Sequence, residues 1–395
     1  MSKWERKTLG DFLSLQRGYD LTAEEREFGN VPVIGAAGQN GFHNQALVSA
    51  PGIIVGRSGG SFGQVHFVKE DFWPHNTAMF VTDFKGNDPF FTYYLLKNLD
   101  FSQLNSGSAQ PSLNRNYVYP VKIIVPQPND QKKIAAVLSS LDAKIECNNR
   151  INAELEAMAK TLYDYWFVQF NFPNHNGQPY KSAGGKMVYN PTLKRQIPEG
   201  WRDGTLDNLG QISGGSTPST KNPQNFTTNG TPWITPKDLS DNQGNKFITR
   251  GSQDVSDEGI KNACLKKYPT GTVLLSSRAP IGYMAIARGE LTTNQGFKSF
   301  VPTSGYSTPF IYYTVKNSLK AITQYATGST FIEISGAVLK TVKICLPDSE
   351  NVQRYTPAVE SIFKRQNLLE QENQHLTQLR DWLLPMLMNG QLTVV

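Results

Sequence analysis

The chain has 395 residues, of which 38% are hydrophobic and 18% charged, so it is long enough for two or three globular domains with cores of their own. Lys and Arg (39) outnumber Asp and Glu (33), which gives a formal charge of +6. No apolar run approaches the roughly 20 residues that cross a bilayer. No signal peptide is read at the start, and Cys147, Cys264 and Cys345 lack any CxxC or CxxH spacing, so a reducing cytoplasm is the expected setting, without a zinc site or disulfide framework.

Residues 1–127 carry no net charge and read as a mixed α/β domain. Short apolar runs at 31–34, 52–55, 65–68 and 78–81 are predicted strands. Asn40-Gly41 and the Gly59-Gly60-Ser61-Phe62-Gly63 cluster are predicted turns. The stretch 89–98 has helical apolar spacing, and 121–125 reads as a last buried strand.

A long helix is predicted over 130–166. Ile134, Leu138, Leu141, Ile145, Asn148, Asn152, Leu155, Ala159, Leu162 and Trp166 recur at spacings of four and three, the a/d seam of a coiled coil. Such a helix is roughly 55 Å long. Pro126 and Pro128 precede it, and Asn129 or Asp130 is the expected cap. The segment 128–170 is read as a spacer helix, slightly acidic at −1. Residues 171–200, with Pro173, Pro179, Pro191 and Pro198, read as an ordered-to-loose linker carrying +3.

Residues 201–347 repeat the first globule and carry +6. Trp4-x3-Thr8-Leu9 is echoed by Trp201-x3-Thr205-Leu206 and Gly18 by Gly215, at an offset of 197. Gly52, Ser58 and Gly63 recur 219 residues later as Gly271, Ser277 and Gly282, and Val121-Lys122-Ile123 recurs as Val342-Lys343-Ile344. The growing offset places insertions within 220–260. The segment 348–395, at −2, repeats the seam 221 residues on, through Ile362, Leu369, Asn373, Leu376 and Leu383. Asn152 and Asn373 match, and a polar residue at such a position fixes register and partner at some cost in packing. The expected architecture is therefore two repeated globules and two long helices paired antiparallel, with pseudo-two-fold symmetry in one chain.

Catalytic motifs are missing. Asn190-Pro191-Thr192-Leu193 lacks the second Pro and the aromatic of an amino-methyltransferase loop. There is no GxGxxG after a strand and no GxxxxGK. The pairs His43-Asn44, His75-Asn76 and His175-Asn176 lack the surroundings of a metal nuclease, and Ser58 lies outside any GxSxG elbow. Binding chemistry remains. Arg57, Ser58 and Ser61 follow one predicted buried strand, and Ser277 and Arg278 follow its repeat. Loops there bring side chains to a surface, where Arg can bridge guanine O6 and N7 or grip phosphate. Gln110, Asn114 and Arg115, the counterpart loop with Ser329, and Lys237, Gln295 and Lys298 complete the candidate DNA contacts. Tyr93, Tyr94, Tyr312 and Tyr313 are expected to pack under the helices rather than stack on bases.

The layout resembles the specificity subunit of Type I restriction–modification systems along nearly the whole chain. The resemblance rests on Asp130-Gln131-Lys132-Lys133-Ile134-Ala135, Leu162-x3-Trp166-Phe167, Ile197-Pro198-Glu199-Gly200-Trp201, Ser277-Arg278-Ala279-Pro280-Ile281-Gly282, Thr293-Asn294-Gln295-Gly296-Phe297 and Leu383-Leu384-Pro385-x3-Met388-x-Gly390. It implies a non-catalytic chain with two target recognition domains, 1–127 and 201–347, each reading half of a split site in double-stranded DNA. The spacer helices would set the gap and dock two methyltransferase subunits, which restriction or translocase subunits can join. S-adenosylmethionine is expected on those partners, with no cofactor or metal on this chain. A neutral first domain would need a local basic patch to hold DNA. The rival reading from the residues is a coiled-coil scaffold that self-dimerises without DNA preference.

Overall fold

The computed structural model describes residues 4–107, 111–278, 280–303, 305–324 and 333–394. They form two compact units, Met1–Cys147 with Asn373–Val395, and Asn148–Glu372. Each unit holds one α/β head and a portion of both long helices.

The first head runs β1 (Glu5–Thr8), α1 (Leu9–Phe12), β2 (Ser14–Arg17), β3 (Val31–Gly35), β4 (Gly38–His43), β5 (Gly52–Gly56), β6 (Val65–Val68), β7 (Trp73–Pro74), β8 (Ala78–Asp83), α2 (Pro89–Lys97), α3 (Arg115–Val118) and β9 (Lys122–Val125). Its sheets have the orders β2-β8-β5-β6, β4-β3-β7 and β1-β9. The long helix α4 (Pro128–Tyr163) follows, then a π-helical turn, Asp164–Val168. Next come β10 (Met187–Asn190) and β11 (Arg195–Pro198).

The second head runs β12 (Arg202–Thr205), β13 (Gly210–Gly214), β14 (Phe226–Thr227), β15 (Thr231–Ile234), α5 (Pro236–Asp241), β16 (Phe247–Ile248), β17 (Gln253–Val255), α6 (Asp257–Asn262), β18 (Val273–Leu275), β19 (Met284–Ala287), β20 (Thr292–Thr293), β21 (Lys298–Pro302), α7 (Thr308–Gln324), α8 (Gly336–Leu339) and β22 (Lys343–Leu346). The chain returns through α9 (Ser349–Met388).

The repeat holds strand for strand. The order β2-β8-β5-β6 becomes β13-β21-β18-β19, with β16 added at the edge. The parallel pair β3–β7 becomes β15–β20, and β1–β9 becomes β12–β22. Extra residues in the second copy fall between β15 and β18, where α5, β16, β17 and α6 lie. The repeated Thr-Leu dipeptide has a physical cause. Thr8 caps α1 in a capping box with Asp11, and the Thr205 backbone N–H donates to Asn208 Oδ1 at 2.8 Å, while Leu9 and Leu206 are fully buried beneath.

Gly18 and Gly215 are repeated because nothing larger fits. A Cβ at Gly18 would lie 2.3 Å from the His75 carbonyl oxygen, and one at Gly215 would lie 2.1 Å from that of Thr293. Asn40-Gly41, expected as a turn, lies inside β4, and the chain reverses at Ala36-Ala37 instead. Gly41 serves the strand through its φ of 139°, and a Cβ there would meet Arg26 Nη1 at 2.5 Å.

The expected seam positions on both long helices are buried or half-buried. Neither Asn129 nor Asp130 caps α4: Pro128 already occupies the first turn, where its missing N–H costs nothing, and Asp130 N–H donates to the Gln127 carbonyl at 2.9 Å. In the first unit Ile134 and Leu138 share a core with Leu384, Leu387, Met388 and the head residues Phe12 and Phe91. Arg380 meets Asp142 at 2.7 Å. In the second unit Tyr163 and Trp166 pack on Tyr355, and Gln366 Nε2 donates to the Asn152 carbonyl at 3.3 Å. Partner numbers rise on one helix as they fall on the other, so the helices run antiparallel in each unit. Asn152, matched with Asn373 in the seam, has a buried Oδ1 with no hydrogen-bond partner.

The segment 171–200 is more ordered than a loose linker. β10 and β11 pair antiparallel, and Phe172 stacks on Trp201 with ring centroids 5.0 Å apart in the core of the second unit.

Candidate nucleic-acid interface

In the first head, β2, the segment after β5 and the loop before α3 converge on a groove of about 550 Å³. Arg17, Arg57 and Arg115 line it with Asn114, Ser106, Ser112, Tyr19 and Asp20. Three guanidiniums in one groove supply a local basic patch in a segment whose total charge is zero. Arg17 pairs with Asp20 at 3.6 Å, and the Asn76 side chain also donates to Asp20. Arg57 is half-buried, and burial together with the nearby Arg17 pulls its guanidinium below the usual arginine range, against a smaller opposing pull from Asp20.

The backbone of Arg57 is clamped on both sides. Its N–H donates to the Thr77 carbonyl at 2.9 Å, and its carbonyl accepts from Leu113 N–H at 2.8 Å. Ser58 bridges to Ser112 beside it. Asn114 caps α3, accepting from Asn116 N–H at 3.0 Å, and leaves Arg115 exposed on the first turn. Ser61 sits apart in the 3₁₀ turn Gly59–Ser61 and does not line the groove.

The second head builds the same place from different side chains. Thr217 donates to Gln295, a pair that stands where Asp20 and Asn76 stand in the first copy. Ser335 caps α8 at the position of Asn114. Arg278 lies 3.9 Å from Glu333, and Lys298 lies 3.4 Å from the same carboxylate. Lys237 is mostly exposed on α5 and is tied to Asp241 at 3.0 Å. Ser277 is fully buried between Gly296 and Ile334, to which its backbone is bonded. Its short side chain does not reach the surface, whereas Arg57, with the same two backbone bonds in the first copy, is long enough to line the groove. Gln110 and Ser329 lie outside the described residues.

Spacing arguments missed Arg17 and Tyr19. Their signal was present, since they flank Gly18, which the repeat had already marked. The tyrosine expectation holds: Tyr94, Tyr312 and Tyr313 are buried and Tyr93 is partly buried against the first core. Tyr94 donates to Asp142 at 2.6 Å and Tyr313 to Glu156 at 2.9 Å, both carboxylates being on α4.

These tyrosines belong to the polar joints that hold each head on its helices. In the second unit Lys246, in the inserted region, reaches Glu156 on α4 at 2.6 Å and Gln366 on α9 at 2.7 Å. Its ammonium also lies 3.8 Å from the Phe363 ring centroid. Glu370 accepts from the backbone N–H groups of Lys246 and Phe247 at 2.7 and 3.1 Å and pairs with Arg288 at 2.6 Å. Burial would raise the Glu156 carboxyl, but Lys246 and Lys316 outweigh it and hold the group at about 2.

Among the described residues no cluster of His, Cys, Asp and Glu could hold a metal ion, and no helix is long and apolar enough to cross a membrane.

Residues 1–157 and 198–378 match the family model described as Type I restriction modification DNA specificity domain. The chain is 39% identical over 186 residues to the Type I restriction enzyme MjaIX specificity subunit of Methanocaldococcus jannaschii, a match spanning 44% of this chain and only 42% of that one. It is 26% identical over 331 residues to the HindI specificity subunit of Haemophilus influenzae, spanning 71% of both. In fold it is similar to the S subunit of a Type I restriction–modification system from M. genitalium, with a TM-score of 0.66, 17% identity and coverage of 98% and 96% of the two chains.

Proposed function

Because the chain belongs to the Type I restriction modification DNA specificity family, matched over 1–157 and 198–378, we propose that it reads a two-part DNA sequence, one half with each head. On this reading it directs adenine-N6 methylation by partner subunits that carry S-adenosylmethionine, and cleavage where a restriction subunit joins them. The chain itself supplies recognition and no catalytic group.

One observation carries the reading. A single head topology occurs twice, and at the same place in each copy the loops present different side chains: Arg17, Arg57 and Arg115 in one, Arg278, Gln295 and Lys298 in the other. A constant frame with a variable mouth is what reading two unlike half-sites requires. The partner docking has its own support. Met158 on α4 and Leu379 on α9 stand 221 residues apart, the offset of the repeated seam, and both are uncovered, at 58% and 44% exposure. Two equivalent apolar positions suit two copies of one modification subunit.

The test is single-molecule sequencing for N6-methyladenine in DNA exposed to this chain together with its methyltransferase subunit. A split, asymmetric motif that vanishes when the chain is omitted is the expected result. Methylation indifferent to the chain would overturn the proposal and leave a scaffold as the better reading.

A further inference from the structure

The groove of the first head separates its cations by depth. Arg17 and Arg115 are exposed, whereas Arg57 is half-buried. Asp20 lines the same groove but is committed to Arg17 and Asn76. Among the described residues Arg57 has no carboxylate partner, and its Nε is shut off from solvent without an acceptor. A half-buried guanidinium left unpaired is costly to the fold. Its backbone, bonded to Thr77 on one side and Leu113 on the other, allows little drift.

Resting on the proposed reading of DNA by this head, we infer that Arg57 recognises a guanine in the half-site it contacts. The argument is geometric and chemical. A planar guanidinium with fixed backbone and no acceptor among the described residues matches two acceptors side by side, and guanine offers O6 and N7 in that arrangement in the major groove. The neighbouring Asn114 is the alternative base reader, but its Oδ1 already accepts from Asn116 N–H as a helix cap. A phosphate-gripping role suits the exposed Arg17 and Arg115, which can follow a moving backbone.

Among the described residues the second head has cations of similar depth, Arg278 and Lys298, but both lie against the Glu333 carboxylate. Its chain at the matching place carries Ser276 and Ser277, both fully buried, and the nearby Arg278 lies beside Glu333. The guanine contact inferred for Arg57 therefore concerns the half-site of the first head.

The decisive experiment compares methylation motifs for the full chain with its methyltransferase subunits, unsubstituted and as Arg57→Ala, Arg57→Lys and Arg17→Ala. Arg57→Ala is expected to relax one G·C position in one half-site, with discrimination there falling roughly 10- to 100-fold, and to leave the other half unchanged. Arg57→Lys keeps the charge but not the fork, so it relaxes the same position even should the alanine variant fail to fold. Arg17→Ala is expected to weaken all sequences alike and to reduce the salt slope of binding by about one. An unchanged motif with a uniform loss in both Arg57 variants would make the residue a phosphate contact and overturn the inference. Relaxation at an A·T position would overturn the choice of guanine. Absence of any motif with the unsubstituted chain would instead overturn the underlying reading, and that outcome is seen before any variant is made.

Discussion

Lys246 Nζ lies 2.6 Å from the Glu156 carboxylate, and only 4% of the lysine side chain is exposed. The lysine comes from the inserted region of the second head, and Glu156 comes from a helix that starts nearly 120 residues earlier in the chain. Tyr313 and Lys316 share the same carboxylate, at 2.9 and 2.7 Å. Removing one partner of such a pair strands the other in a poorly solvated place. Glu156→Ala should destabilise the second unit by about 3 kcal/mol. Combining it with Lys246→Met should recover much of that loss, since the buried ammonium is then gone and Lys316, 37% exposed, can turn to water. Urea midpoints for the two variants decide it; equal losses in both would mean that packing and not charge governs the joint.

The same pair sets a response to acid. Glu156 is held at about 2, below the ordinary value of 4.5. A carboxyl with a depressed folded value binds its proton first in the unfolded chain. Its contribution is therefore complete above pH 4.5 and is lost as pH falls toward 2. Unfolding midpoints between pH 5 and pH 3 should fall more steeply for the native chain than for Glu156→Gln, whose side chain does not titrate.

Gly18→Ala and Gly215→Ala should each strain one head alone. The added methyl meets a backbone carbonyl oxygen at 2.3 or 2.1 Å, and backbone cannot step aside as a flexible side chain does. Overpacking of this kind costs about 1–3 kcal/mol. Because both glycines stand at the mouth where the candidate contacts gather, affinity for DNA should fall with either change. Thermal unfolding alongside DNA-binding titrations would check both effects.

Met158→Glu and Leu379→Glu should leave unfolding within about 0.5 kcal/mol of the native chain, since both positions are exposed. Each should remove one modification subunit from the assembly. Light scattering on purified complexes is expected to show two such subunits on the native chain, one on either single variant and none on the double.

Much of the fold was legible because it depends on periodicity. The seam from Ile134 to Trp166 and its repeat needed only the spacing of apolar residues, and every position is at least half-buried. The duplicated heads were legible through residues whose role is local, such as Thr8 and Thr205 as caps or Gly18 and Gly215 at a close approach. The site was less so. Arg57, Asn114 and Arg115 meet in one groove, but Ser277 is buried, because at equivalent backbone positions only the long arginine reaches the surface. Lys246 was invisible for a related reason: its neighbourhood of Asn and Gly reads as solvated loop, and only three-dimensional placement brings Glu156 and Gln366 to it. Asn40-Gly41 misled because a glycine with positive φ serves a strand as readily as a turn.

The division of α9 between the units has a consequence for how the protein is made. The second unit is one uninterrupted stretch, Asn148–Glu372, and so needs no residue from later in the chain. The unit that contains Met1 is still lacking Leu384, Leu387 and Met388, which lie in its core, and Gly390, against which Trp4 packs. Synthesis usually lets the earliest domain close first. Here the earliest head stays open the longest, so a chain cut just after Glu372 would keep every residue of the unit that holds its second head and lack part of the core of the first.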